Sequence, residues 1–248
     1  MLNKDMVTRC GWEHHLFGGP PSPKRAHFNE VYKLIAGDQA LTHKLGVNWV
    51  RFVVERWLFI EEFVDFFGIE KFWHFDSDTM IIQSLGQYEE SFGDIDFTVQ
   101  CEGNCLNGFI TAPAMREVTS EFCRAFEDEE LLELMRKRFS REIERSHALT
   151  EMELFCLYRK KTERKNVDLR FSVPDRVFDD FLVREHGFEM MEIYPGKYIK
   201  KLYNHENKIY GNYQGNLIEF VILNLSWVPD ELFKWVLLTV TGAGLSEF

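Results

Sequence analysis

The sequence predicts an α/β fold in which a mixed sheet is flanked by helices. Two long blocks, at about 27–67 and 113–147, carry apolar residues at three-to-four spacing with charged residues between them, as amphipathic helices do. Short segments rich in β-branched and aromatic residues lie between and after these blocks. Helices followed by strands and then helices again favour α/β or mixed α+β layering. The chain has 248 residues and 45% hydrophobic content, so it can bury a core, and we expect one domain over 1–248.

The first predicted elements lead into a short apolar strand. Residues 1–26 are expected to be irregular, because two glycines and three prolines lie within positions 18–23. In the helical block that follows, Val50, Val53 and Trp57 recur on one face. This helix should feed a strand at 71–75, whose aromatic residues indicate a position in the core.

The second half of the chain is predicted to alternate strands with one long helical block. Pro113 suits the first turn of a helix, and opposite charges four residues apart support the helix that follows it. Strands are predicted in "DIDFTVQCEGN", in "NGFITA" and in several pieces of 197–227, where Asn and Gly form the turns. The apolar tail at 232–245 is shorter than the roughly 20 residues of a membrane span, so we expect a buried strand or helix there.

Charge and cysteine usage narrow the class of protein. The chain has 29 Lys and Arg against 40 Asp and Glu, and a net charge of -11 repels nucleic acid and anionic membranes. The five cysteines form an odd, scattered set, and no secretory signal pattern opens the chain, so we expect reduced thiols and a cytoplasmic location. Neither a P-loop nor a dinucleotide-binding glycine motif occurs.

Two carboxylates, Asp76 and Asp78, directly follow the predicted strand at 71–75. Bare charges beside a core strand need compensation by metal, substrate or solvent. Both side chains fall at the carboxyl end of the strand, where ligands bind in open α/β sheets. Two such hard oxygen ligands suit Mn2+ or Mg2+, typically together with the phosphates of a substrate. The pair therefore predicts a divalent metal site.

Two other interpretations of the pair remain open. Asp76 and Asp78 can be turn-forming residues after the strand, with Ser77 satisfying backbone groups. Alternatively, an apolar strand that ends in Asp-x-Asp occurs in aspartyl-phosphate hydrolases. Those enzymes usually carry a Thr two residues after the second Asp, whereas Thr79 follows it directly here.

The stretch "FWHFDSDTMI" resembles the Asp-x-Asp motif of GT-A glycosyltransferases. Upstream, Asn48, Arg56 and Trp57 match the Asn and the later Arg-Trp pair of the helix that precedes the motif in one group of these enzymes. Downstream, "CLNGFITAPAMREV" is similar to the segment whose Asn-Gly forms part of the acceptor side. The stretch "LTEMELFCLY" resembles a Ser-Asp-Met-x-Leu segment. The similarity covers roughly residues 28–225, and the Asp-x-Asp core is its specific part.

The resemblance implies a role for each matching residue. Asp78 would ligate the metal, and Asp76 would touch the ribose or reach the metal through water. Asn48 and Arg56 would lie on the donor side, with Arg56 facing the phosphates or sugar. Asn107, Gly108 and Glu151 would lie on the acceptor side. Glu151 would be the base, and it occupies a position where Asp is usual.

Simpler interpretations stand beside three of these roles. Arg56 can be a surface-pairing arginine of an amphipathic helix. Asn107 and Gly108 have the preference of a turn. A capping box formed by Thr150 and Glu153 also explains "TEME".

The chain departs from the GT-A pattern in two places. A late His often completes the metal site, and the equivalent stretch "VILNLSW" has Asn224, whose carbonyl oxygen can serve a hard cation. His205 is a possible substitute. The first strands of the nucleotide-binding half are not recognisable in the 70 residues before the motif, which predicts a shortened member, an improvised base pocket or lost transfer. Separately, Cys101 and Cys105 have a loose zinc-like spacing without a second pair.

The sequence therefore predicts a metal-dependent glycosyltransferase that moves a sugar from a nucleoside-diphosphate sugar to a hydroxyl acceptor. The acceptor would be a glycan, a protein or a small molecule, and the cofactor Mn2+ or Mg2+. The first alternative is a catalytically decayed relative that acts as a binding protein. The second alternative is an Asp-x-Asp phosphohydrolase.

Overall fold

The computed structural model describes residues 20–37, 47–141, 147–206 and 208–241. The chain contacts group these residues into two compact units. Unit 1 holds the described residues up to 72, together with 104–106 and 110–164. Unit 2 holds 73–103, 107–109 and the described residues from 165 onward.

Within the described residues, α-helices dominate unit 1, and unit 2 has one α-helix and two short 3-10 helices, Leu85–Phe92 and Cys101–Gly103. The α-helices are α1 (Pro23–Val31), α2 (Val47–Phe66), α3 (Ala112–Glu127), α4 (Glu129–Arg141), α5 (Glu151–Arg159) and α6 (Asp230–Thr241). The α1 helix begins as its residue types require, since Pro23 occupies the first turn and the Ser22 hydroxyl accepts a hydrogen bond from the Arg25 amide.

The strands are short, and several of them flank the Asp-x-Asp segment. They are β1 (Lys71–His74), β2 (Thr79–Ile81), β3 (Phe97–Gln100), β4 (Cys105–Thr111), β5 (Asn166–Asp168), β6 (Arg176–Phe178), β7 (Met190–Tyr194), β8 (Lys197–Lys200), β9 (Tyr203–His205), β10 (Lys208–Tyr213) and β11 (Asn216–Asn224).

These strands form one four-stranded sheet and one five-stranded sheet, with a separate β7–β8 hairpin. The first sheet has the order β1-β4-β3-β5, and the β3–β5 pair is parallel. The second has the order β2-β11-β10-β9, with β6 pairing in parallel to β11. The other pairs of this second sheet are antiparallel. Parallel and antiparallel pairs together confirm the predicted mixed α/β character.

The core of unit 1 lies between amphipathic helices. The apolar stripe of α2 is buried along its length, as the three-to-four spacing predicts. Phe28 of α1 packs edge-on against Phe126 of α3 with ring centroids 5.8 Å apart. A polar contact also joins α1 to α2: the Lys24 ammonium donates to the Glu61 carboxylate at 2.5 Å, and Glu61 is only 8% exposed.

The core of unit 2 is built on β11 and an aromatic cluster. Residues 220–223 of β11 are fully buried, because both faces of this central strand are covered. Trp73 at the end of β1 stacks on Phe178 of β6 with ring centroids 5.9 Å apart and meets Phe92 and Phe109 edge-on. The predicted strand is therefore present, but it lies at the edge of its sheet and none of its residues is fully buried. Trp73 and Phe75 pack against the core from this edge.

The structure corrects several predicted boundaries. The irregular segment ends at Ser22 rather than at residue 26, because Pro23 starts a helix instead of preventing one, while residues 1–19 lie outside the described part. Over its described residues, the predicted helix at 113–147 is two helices that break at Asp128, whose carboxylate caps α4 by accepting from the Leu131 amide. Residues 142–146 lie outside the described part. The apolar tail forms the helix α6 over its described residues.

No helix within the described residues is both long and apolar enough to cross a membrane.

Candidate functional site

The Asp-x-Asp segment is the turn between β1 and β2. The Thr79 amide donates to the Asp76 carbonyl at 3.0 Å, so the chain reverses as soon as the core strand ends. The turn interpretation of these residues is therefore confirmed. A turn at this position is compatible with a metal site, because both aspartates follow closely after β1. Since β2 pairs antiparallel with β11, Thr79 lies opposite Asn224.

The two oxygens of the Asp78 carboxylate have different surroundings. Oδ2 accepts a hydrogen bond from the Ser226 hydroxyl at 2.6 Å, and the backbone carbonyl accepts from the Leu225 amide at 2.8 Å. Oδ1 is buried and has no hydrogen-bond partner among the described residues. An unsatisfied buried carboxylate oxygen is costly, and a bound cation is one way to satisfy it.

Asn224 lies beside Asp78, as a contributor to the same site must. It is 4% exposed, and its side-chain oxygen accepts from the Ser226 amide at 2.9 Å. This bond holds Ser226 where its hydroxyl reaches Asp78. The Asn224 oxygen thus already accepts one backbone donor, and a carbonyl oxygen has a second lone pair for a cation.

A fully buried ion pair lies next to Asn224, at the end of β11. Asp179 and Lys200 are both 0% exposed and form a salt bridge. Asp179 also accepts from the Asn224 amide at 3.2 Å, while Lys200 donates to the Phe181 carbonyl at 2.9 Å. The Lys200 ammonium also lies 4.9 Å from the ring centre of Phe188. Burial raises the pKa of Asp179, and the charge of Lys200 opposes that rise.

Asn107 joins the same polar network through Gln100. The Gln100 amide donates to the carbonyls of Phe178 and Asp179 at 3.1 and 3.3 Å, and Asn107 donates to the Gln100 oxygen at 3.4 Å. Asn107 is 3% exposed, so its side chain supports the network rather than facing solvent. The interpretation of Asn107 and Gly108 as a turn is wrong, because both lie inside β4.

Gly108 is required by packing. Its φ is +94°, and a Cβ there would lie 2.5 Å from Cδ2 of Leu169 and closer still to the Thr98 hydroxyl. No L side chain fits both the conformation and the space. Gly108 thus lets β4 pack closely against its neighbours.

A second buried carboxylate follows Asp179 directly. Asp180 is 1% exposed, and its Oδ2 accepts from Arg170. Its Oδ1 lies 3.5 Å from Nδ1 of His186, which is too long for a good hydrogen bond. The two neighbouring carboxylates therefore have separate partners, Lys200 for one and Arg170 for the other.

The predicted residues of unit 1 form their own cluster. Arg56 donates to Glu151 at 3.1 Å across α2 and α5, with side chains 24% and 15% exposed, and its guanidinium lies over the Trp57 ring. Arg56 is thus an ion-pairing arginine, but its pair is partly buried between two helices and does not lie on the surface as the simpler interpretation predicts. The proposed base and the proposed phosphate ligand neutralise each other. Asn48 lies in the first turn of α2, and its side chain is outside the described part.

The capping-box interpretation of "TEME" is wrong. Thr150 occupies the N-cap position of α5 but makes no side-chain capping bond. The carboxylate of Glu153, the second member of the predicted box, instead accepts a hydrogen bond from Arg138 at 3.0 Å. The acidic first turn of α5 still suits the positive end of the helix dipole.

Two weaker sequence candidates do not join the site. His205 ends β9, three strand positions from β2, which corresponds to about 14 Å across a sheet. Its side chain is 75% exposed. Within the described ranges, no group of three His, Cys, Asp or Glu side chains is arranged to hold a metal ion, and this includes the surroundings of Cys101 and Cys105.

Sequence reasoning missed four members of the network: Gln100, Asp179, Lys200 and Ser226. The signal was available for Asp179, because "RVFDDFLV" places carboxylates in an apolar run just as "FWHFDSD" does. Lys200 gives no comparable signal, since it lies among other lysines in "KYIKK". Only the fold shows which of these lysines is buried.

Comparison of the chain with protein-family models, with curated proteins and with solved structures found no match.

Proposed function

We propose that the chain is a divalent-metal-dependent glycosyltransferase whose donor site lies at the turn between β1 and β2. The observation that carries the proposal is Asp78, whose Oδ1 is buried without a hydrogen-bond partner among the described residues. Its other oxygen is fixed by Ser226 at 2.6 Å. A carboxylate held rigidly, with one oxygen unsatisfied, is preorganised for a cation.

The residue types at this turn fit a hard divalent cation. Asp78 and Asp76 would supply carboxylate oxygens and Asn224 a carbonyl oxygen, which are the donors that Mn2+ and Mg2+ prefer. Such sites usually leave further positions for substrate phosphates. A bound metal would stabilise the negative charge of a departing nucleoside diphosphate.

The residues around Asp78 would provide rigidity to the site. Ser226 orients the Asp78 carboxylate, and Asn224 orients Ser226. Asp179, which is paired with Lys200, accepts a hydrogen bond from the backbone amide of Asn224 and so fixes that residue as well. A site supported by such a network keeps its ligands in place before the donor arrives, which lowers the cost of binding.

Calorimetric titration with UDP and GDP, with and without Mn2+, tests the proposal. We expect binding that requires Mn2+ and that falls at least tenfold in Asp78→Asn, which keeps an acceptor for Ser226 but removes the charge. Asp94→Asn is the matched control, because Asp94 is exposed and belongs to the same unit. This control should bind like the wild type.

The alternatives give different outcomes in the same experiment. Absence of nucleotide binding at millimolar concentration, in a folded protein, would reject the donor site and favour a non-catalytic binding protein. Release of phosphate from a simple aryl phosphate, lost in Asp76→Ala, would favour the phosphohydrolase. Binding that is equal in wild type and Asp78→Asn would show that the ligand lies elsewhere.

A further inference from the structure

Trp227 is presented to solvent by a tightly anchored turn. It is 83% exposed, more than any other large apolar side chain in the part of the chain that the structure describes. The turn around it is closed by the Val228 amide, which donates to the Leu225 carbonyl at 3.0 Å. Leu225 and Val228 are 4% and 5% exposed. The fold thus buries both ends of the turn and leaves the indole outside.

The backbone of Trp227 is strained. Its φ is +65°, the left-handed region that glycine and asparagine favour and that bulky residues rarely adopt. Neither burial nor backbone preference therefore explains a tryptophan at this position. Strain of this kind collects at functional sites, where the surrounding structure over-determines it.

The turn belongs to the proposed donor site. Ser226, the residue before Trp227, donates its hydroxyl to Asp78, and Leu225 donates its amide to the Asp78 carbonyl. Consecutive Cα atoms lie about 3.8 Å apart, so the indole starts one residue from the group that orients the carboxylate. An aromatic face next to a diphosphate site is within reach of the rings of a nucleotide.

We propose that Trp227 is a stacking platform for the base of the nucleoside-diphosphate donor. This inference rests on the proposed function, and it assigns to unit 2 a contact for the base in addition to the site for the diphosphate. Stacking of a base on an aromatic side chain suits an exposed indole, because every base offers an apolar face. Neither the metal nor the phosphates should sense the indole directly.

The test compares Trp227→Gly with the wild type for binding of UDP and of inorganic pyrophosphate, each with Mn2+. We expect UDP affinity to fall about 5- to 150-fold, the range for the loss of one stacked base. Pyrophosphate affinity should stay within about twofold, because pyrophosphate has no base. The thermal midpoint should hold or rise, since glycine relieves the positive φ and little apolar surface is lost.

A matched control is Gln214→Gly, which relieves a positive φ of 50° on another turn of unit 2 without removing an aromatic ring. It should bind both ligands like the wild type. Unchanged UDP affinity in Trp227→Gly would overturn the inference, and so would an equal loss for UDP and pyrophosphate, which would mean a disturbed metal site. Loss for a UDP-sugar but not for UDP would assign the indole to the sugar instead. Failure of the wild type to bind either ligand would reject the proposed function itself.

Discussion

Replacing Lys200 with methionine should strongly destabilise unit 2. Methionine has a similar length and apolar character, so the substitution removes the charge with little change in packing volume. It leaves the Asp179 carboxylate fully buried without its cation. It also removes the donor to the Phe181 carbonyl.

The magnitude follows from burial. Removing one partner of a buried ion pair typically costs about 3–5 kcal/mol, because the remaining charge is uncompensated. For a chain of this size, each kcal/mol lowers the thermal midpoint by about 2–4 °C, so we expect a fall of roughly 6–20 °C. Lys201→Met is the matched control: its side chain is 38% exposed and pairs with Glu189 near the surface, so its cost should be much smaller than that of Lys200→Met.

The assay is urea unfolding of both variants at several pH values. Burial already raises the pKa of Asp179 against the effect of Lys200, and loss of Lys200 should raise that pKa further. A buried carboxyl with a raised pKa is tolerated best when it is protonated. The favourable contribution is complete below the pKa of the unfolded state, near 3.9, and it is lost as the pH rises through the pKa of the folded state. The cost of Lys200→Met should therefore shrink towards pH 4. The double variant with Asp179→Asn should recover more than half of the loss at pH 7.

Equal losses of stability for Lys200→Met and Lys201→Met at pH 7 would contradict a stabilising role of the buried ion pair. A cost that does not vary with pH would also contradict it, because the destabilisation would then come from packing and not from the unpaired carboxylate.

Three further predictions concern other parts of the chain. The hydrogen bond from Lys201, together with two further side-chain donors, lowers the pKa of Glu189 to about 2. The ionised carboxylate therefore stabilises the fold above about pH 4.5, and this stabilisation is lost towards pH 2. In Glu189→Gln, the urea midpoint should vary less with pH over that window. Burial raises the pKa of the Cys123 thiol to about 11, so iodoacetamide at pH 8 should label it far more slowly in the folded protein than in urea, as read by peptide mass spectrometry. Gly108→Ala should cost about 3 kcal/mol or more in urea unfolding, because its Cβ would overlap Leu169; a loss under 1 kcal/mol would contradict the fit at β4.

Local sequence patterns predicted part of the secondary structure of this chain. The helix containing Val53 and Trp57 and the strand containing Trp73 both occur where periodicity and aromatic content placed them. Some errors lie at boundaries, as at Pro23 and Asp128, where one residue can either begin or end a helix. Three short strands, β5, β6 and β7, were not predicted at all. Pattern describes the middle of an element better than its ends.

The candidate site was predictable only in part, because its members come from distant segments. Asp78 and Asn224 are 146 positions apart, and their adjacency follows from the pairing of β2 with β11, which no local pattern specifies. Arg56 and Glu151 were expected to act on separate sides of a substrate, yet they pair with each other at 3.1 Å. Which charges neutralise one another is a property of the tertiary packing.

Asp78 and Asp179 belong to one hydrogen-bonded network, yet the fold treats their charges differently. Asp179 is compensated internally by Lys200, whereas Asp78 has only the Ser226 hydroxyl and no ion-pair partner within the described residues. Because Lys200 compensates it inside the fold, Asp179 has a structural role, and Asp179→Asn alone should destabilise the protein by leaving Lys200 buried without its partner. A carboxylate without an internal cation is a liability in the free protein, so Asp78→Asn should keep or slightly raise the stability while abolishing Mn2+-dependent binding. Asp179→Asn and Asp78→Asn should therefore change the free energy of unfolding in opposite directions, which would distinguish the structural carboxylate from the functional one.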